Sequence, residues 1–72
     1  MRLRQLRVSN NYTQKDLASI LNCKPNTYSQ YETTKRTIPI DSLKILAEIY
    51  ETSIDFLVDF TDVKTPYPRK EL

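Results

Sequence analysis

The sequence predicts an all-α fold, a compact five-helix bundle. Apolar residues recur at helical spacing, most clearly Leu43, Leu46, Ala47 and Tyr50 at positions i, i+3, i+4 and i+7. No stretch alternates apolar and polar residues as a half-buried strand does. Short polar breaks rich in Asn, Thr and Pro separate the apolar-periodic segments.

The first predicted helix covers residues 2–9, with Leu3, Leu6 and Val8 on its apolar side and arginines between them. Asn10 and Asn11 end it, because asparagine tolerates the left-handed conformation of a C-cap. Thr13 is a suitable N-cap for a second helix, residues 14–21, whose Leu17, Ala18 and Leu21 share one face. Three residues, Asn22, Cys23 and Lys24, allow only a tight turn. Pro25 presets the first helical dihedral of a third helix that runs to Glu32. Three threonines and a proline make residues 33–39 a polar, basic loop. The fourth helix, residues 41–50, is the most strongly amphipathic, with Ile45 and Ile49 widening its stripe and Asp41 suiting its dipole. Thr52 and Ser53 cap a fifth helix from residue 54 to about 60, carrying Phe56, Leu57 and Phe60. Residues 61–72 read as an extended tail, so the predicted domain spans 1–60.

Composition narrows the function. The 72-residue chain contains no histidine and no glycine, so the commonest general base and any glycine-rich phosphate loop are absent. One cysteine permits no intrachain disulfide and no usual zinc set. Apolar runs of two or three residues cannot form a membrane span. Without glycine, tight turns fall to Asn11 and Asn22, and Thr34 would be strained at positive φ. These features predict a binding protein, not an enzyme, that needs no cofactor or metal and works in the cytoplasm.

Charge is polarised along the chain. Residues 1–36 carry seven basic and two acidic side chains, a net of +5, whereas residues 37–72 carry four and seven, a net of −3. Such polarity suggests a face that meets a polyanion.

Residues 14–33 hold two short helices and a three-residue turn, a helix-turn-helix pattern whose predicted buried positions are Leu17, Ala18, Leu21, Cys23, Tyr28 and Tyr31. TQKDLASIL, NTYSQYE, KRTIP, LKILAEIY and TSIDFL follow in order. Through these segments the chain resembles the lambda-repressor-like, Cro/C1-type helix-turn-helix domains, also called the XRE family. The closing TDVKTPYPRK is similar to the tail of small stand-alone regulators of that type.

The resemblance implies that the third helix enters the DNA major groove. Opposite the core-facing Tyr28 and Tyr31, Asn26, Thr27, Gln30 and Thr33 are polar and uncharged. Asn and Gln bond adenine bidentately and Thr offers a methyl to thymine, so these four are the candidate base readers. Gln14, which matches the family's phosphate-gripping glutamine, joins Lys15, Lys24, Lys35 and Arg36 as candidate phosphate contacts. Arg7 and Glu32 match a family ion pair between the first and third helices. Three departures stand out. Lys24 replaces the family's Ser or Thr cap, Pro25 replaces a base-reading side chain, and Asn22 and Thr34 replace glycines. Cys23 fits a small buried hydrophobe better than a redox-active thiol.

The expected function is sequence-specific binding of double-stranded DNA by a transcriptional repressor. One motif reads only about four or five base pairs, so a homodimer is expected at least on DNA. No membrane or small-molecule ligand is implied. The alternative is a protein-interaction module, such as the antitoxin-type partner of a neighbouring protein.

Overall fold

The computed structural model describes residues 1–60; the predicted tail, 61–72, lies outside the described residues. Within them the chain is all-helical, with five helices and no strand: α1 Leu3–Ser9, α2 Gln14–Ile20, α3 Pro25–Glu32, α4 Ile40–Ile49 and α5 Ile54–Leu57. They enclose one apolar core. Leu3 and Leu6 enter it from α1, Leu17 and Ala18 from α2, and Tyr28 and Tyr31 from α3. Ile38, Leu43, Leu46, Ala47, Tyr50 and Leu57 complete it.

Local chemistry explains the helix starts. The Thr13 hydroxyl accepts the Asp16 N–H at 3.0 Å while the Asp16 carboxylate accepts the Thr13 N–H at 2.9 Å, a reciprocal capping box. The backbone hydrogen bond from Thr13, then that residue's side chain, holds the Asp16 carboxyl below its ordinary range. The Ser53 hydroxyl accepts the Phe56 N–H in the same manner at 3.1 Å. By contrast α3 starts at Lys24 with no side-chain cap, and relies on Pro25 in its first turn.

All five helices end alike. A residue with φ between 51° and 65° follows each C-cap: Asn11, Asn22, Thr34, Glu51 and Asp59. Each donates its N–H three residues back, and the next residue donates to the carbonyl five back, as with Asn22 to Ser19 and Cys23 to Ala18. This is the Schellman ending, which usually uses glycine. Thr34 does adopt positive φ; so do Asp59, a residue type that tolerates it, and Glu51, which carries no sequence signal for it.

The same ending shortens the last helix. α5 stops at Leu57 because Asp59 turns left-handed, leaving Phe60 80% exposed and outside the apolar stripe assigned to it. Val8 and Ile45 are also exposed. Leu21 and Cys23 are half-buried at the periphery, since the turn between α2 and α3 lies at the surface. An open groove of about 680 Å³ runs beside α4 and the start of α5, with Ile45, Ala47 and Ile54 among its lining residues and Lys44, Glu48 and Glu51 also along it.

Arg2 fastens the start of α1 to the end of α5. Its backbone N–H donates to Leu57, its guanidinium donates to the Phe56 carbonyl at 2.9 Å and lies 4.1 Å from the Phe56 ring centre, and it pairs with Asp59.

Candidate nucleic-acid interface

α2 and α3 pack closely through Leu17, Ala18 and Tyr28, each buried to within 1%. The small Ala18 permits the approach of the two helices. That packing turns one side of α3 outward. Tyr28 and Tyr31 face the core with their rings edge to face at 6.4 Å, while Asn26, Ser29, Gln30 and Thr33 stand at i, i+3, i+4 and i+7 along the opposite side. Ser29 is a residue the sequence reading passed over, although this spacing marks it. Thr27 lies one step off the stripe, on the flank shared with Tyr31; like Ser29 and Gln30 it is half-buried.

The loop after α3 is wound onto Gln30. The carbonyl of Gln30 accepts the N–H of Lys35 at 3.0 Å, the N–H of Arg36 at 3.3 Å and the Thr33 hydroxyl at 3.4 Å. The Thr33 hydroxyl also donates to Ser29 at 3.2 Å, so it is folded back on its own helix and leaves its methyl as the outward group. Lys35 and Arg36 are exposed directly beyond the polar stripe. Lys24, at the opposite end of α3, and Lys15, on α2, are exposed as well.

A buried ionic cluster supports this surface from within. Arg7 Nε donates to Glu32 Oε2 at 2.6 Å and Arg7 Nη2 to Oε1 at 3.4 Å. The side chains are 13% and 3% exposed. Arg7 Nη1 also donates to the Tyr12 carbonyl at 3.0 Å, so one guanidinium ties α1, the turn before α2 and the end of α3. Gln14, the first residue of α2, donates from Nε2 to Glu32 Oε1 at 3.1 Å. Burial alone would push the Glu32 carboxyl up, but the surrounding donors of Arg7, Tyr28 and Gln14 and the guanidinium charge outweigh it and hold the carboxyl below its ordinary range.

The phenols behind the cluster are buried. The Tyr28 hydroxyl faces Glu32 without closing a hydrogen bond of standard geometry, and the Tyr50 hydroxyl has no partner among the described residues. Burial raises both phenols, Tyr50 up to about 12, with Tyr12 and the Glu32 charge adding to it. The Tyr12 and Tyr50 rings meet edge to face at 6.2 Å. No group of side chains suited to a metal ion occurs among the described residues, and no helix among them is long and apolar enough to cross a membrane.

The family model described as "Helix-turn-helix" matches residues 3–57, which covers all five helices. The chain is 37% identical over 65 residues to the uncharacterized HTH-type transcriptional regulator YobD of Bacillus subtilis (strain 168), covering 90% of this chain and 58% of that protein. It is also 37% identical over 62 residues to the HTH-type transcriptional regulator ImmR of the same organism, covering 86% of this chain and 49% of that protein. The chain therefore spans between about half and three-fifths of the length of these curated relatives. No solved structure matches it.

Proposed function

The chain belongs to the helix-turn-helix family, and from that premise we propose that it is a transcriptional regulator that binds double-stranded DNA sequence-specifically through α3 in the major groove. The observation that carries the reading is the outward stripe of α3. Asn26, Ser29, Gln30 and Thr33 present hydroxyl, amide and methyl groups with no charge among them, directly before the cations of Lys35 and Arg36. A merely solvated helix face normally uses Lys and Glu. Uncharged hydrogen-bonding side chains flanked by cations are the chemistry that reads base edges while the backbone is held electrostatically. The names of the matched relatives, both HTH-type transcriptional regulators, support the same role.

Asn26 and Gln30 are the principal base readers, and Ser29, Thr27 and the Thr33 methyl are secondary ones. Lys15, Lys24, Lys35, Arg36 and the amide of Gln14 hold phosphates. The protein acts as a repressor in the cytoplasm, by occupying DNA and not by catalysis, and does so as a homodimer on DNA. A single α3 covers too few base pairs to select a site, whereas two copies on a palindrome read both half-sites.

Selection from a random duplex pool tests this reading. The expected product is a palindromic consensus with half-sites about one helical turn apart, bound with an affinity that falls steeply with salt. Absence of enrichment, together with binding that is insensitive to salt, would replace the reading with that of a protein-interaction module.

A further inference from the structure

Glu32 ends α3 within the most basic part of the sequence, where a free carboxylate would repel phosphate. The structure shows why it is tolerated: it is 3% exposed, and both its oxygens are occupied by donors. One of those donors is Gln14, the first residue of α2 and a proposed phosphate contact. Building on the DNA-binding reading above, we propose that Glu32 is a positioning residue for the phosphate grip of Gln14, with Arg7 neutralising the carboxylate that does the positioning.

The chemistry follows from the groups present. A glutamine amide has two N–H donors and one carbonyl acceptor, and a freely rotating amide presents either to solvent. A phosphate oxygen only accepts. An ionised carboxylate also only accepts, so Glu32 Oε1 fixes the amide with its nitrogen inward at 3.1 Å. One N–H is thereby consumed and the other is held on a defined bearing at the half-buried start of α2. The reversed amide would set oxygen against carboxylate and is excluded. The negative charge needed for this lies one amide group from the proposed phosphate. Arg7 cancels it through contacts of 2.6 and 3.4 Å, and the Tyr12 carbonyl holds the guanidinium from the far side. The strut between α1 and α3 therefore also aims a group on α2.

Two measurements test the proposal. In the free protein, NMR of the Gln14 side-chain amide should show one of its two hydrogens shifted and slowed in exchange relative to an exposed glutamine, and Glu32→Gln should return it to the exposed values. A glutamine at 32 offers one acceptor for two donors, and Arg7 takes it. A Gln14 amide whose two hydrogens both resonate and exchange as in an exposed glutamine would overturn the proposal without reference to DNA. On the selected duplex, Glu32→Gln should lower affinity about tenfold without reducing the salt slope, because the group it misaims, the Gln14 amide, carries no charge. In a Gln14→Ala background the same substitution should cause no further loss. Equal losses in both backgrounds would make Glu32 a structural residue only. Should the unsubstituted protein bind no duplex in a salt-sensitive manner, the DNA-binding reading fails with it, an outcome distinct from an additive cycle. If Glu32→Gln does not fold, the paired replacement Arg7→Met and Glu32→Met removes both charges together. It should restore stability while affinity stays reduced, and full affinity in that variant would overturn the proposal.

Discussion

Lys35 and Gln30 are joined through the main chain, the N–H of the first donating to the carbonyl of the second at 3.0 Å. The outward amide of Gln30 and the cationic loop thus share one rigid junction, and the base-reading and phosphate-holding groups are presented in fixed register.

Their roles separate by measurement. Gln30→Ala should cost about 1–3 kcal/mol on the selected site and relax preference at one base pair. Arg36→Ala should weaken all duplexes about equally and lower the salt slope by about one. Ser29→Ala should alter preference more than Thr27→Ala does, since Ser29 lies on the stripe and Thr27 beside it. Competition binding against base-pair variants of the site, repeated over a salt series, gives all of these. Equal weakening of every duplex by Gln30→Ala would remove α3 from base reading.

The buried pair of Arg7 and Glu32 should be strongly coupled. Removing either partner leaves the other uncompensated, and Arg7→Met or Glu32→Gln should each destabilise by about 3 kcal/mol. A double-mutant cycle followed by urea unfolding should return a coupling above about 1 kcal/mol, more than an exposed pair supplies. Near-zero coupling would make the pair worth no more than an exposed one.

Acid should weaken the fold through the same carboxylate. Glu32 is held below its ordinary value of 4.5, so its contribution is fully present above that pH and is lost as pH falls through the folded value. Thermal unfolding followed from pH 6 downward should show the melting temperature dropping below about pH 4.5, with a shallower drop in Glu32→Gln. Parallel profiles would assign the acid sensitivity to other carboxylates.

Thr13→Ala removes the hydroxyl half of the box at the start of α2 and should cost about 1 kcal/mol. Replacing Lys24, which caps nothing at the start of α3, by Ser should instead raise stability by several tenths of a kcal/mol to about 1 kcal/mol. Differential scanning of the two variants beside the parent protein checks both signs.

Thr34 is β-branched and sits at φ 60°, where its Cβ is crowded. Thr34→Asn keeps a side chain but relieves the crowding, and should stabilise by about 0.5–1 kcal/mol. No change in the urea midpoint would show that the bond from the Thr34 hydroxyl to the Thr33 carbonyl, 2.6 Å long, already offsets the strain.

The helices were legible because their determinants are local. Thr13 and Ser53 cap, Pro25 starts α3, and the i, i+3, i+4 spacing of Leu43, Leu46 and Ala47 orients α4. The end of α5 was not, because Asp59 tolerates the left-handed conformation without demanding it, and the apolar spacing continues to Phe60. Side-chain polarity selects Thr27 on α3, whereas helical spacing adds Ser29 to the stripe of Asn26, Gln30 and Thr33. The bond from Gln14 to Glu32 joins residues 18 apart in sequence. Such a contact depends on how α2 packs on α3, which no local pattern encodes.

The left-handed endings have a counterpart in the unfolded chain. Glycine roams more of backbone space than any other residue, so a chain without it has fewer disordered conformations to surrender on folding. Each ending built on Asn, Thr, Glu or Asp strains the native turn, by about 1 kcal/mol or more where the residue suits it poorly. Each also narrows the competing ensemble, by about 0.4–1 kcal/mol relative to glycine. The two effects run in opposite directions at five positions. A domain with no disulfide among its described residues thus draws part of its stability from the poverty of its unfolded state, which no inventory of native contacts would reveal.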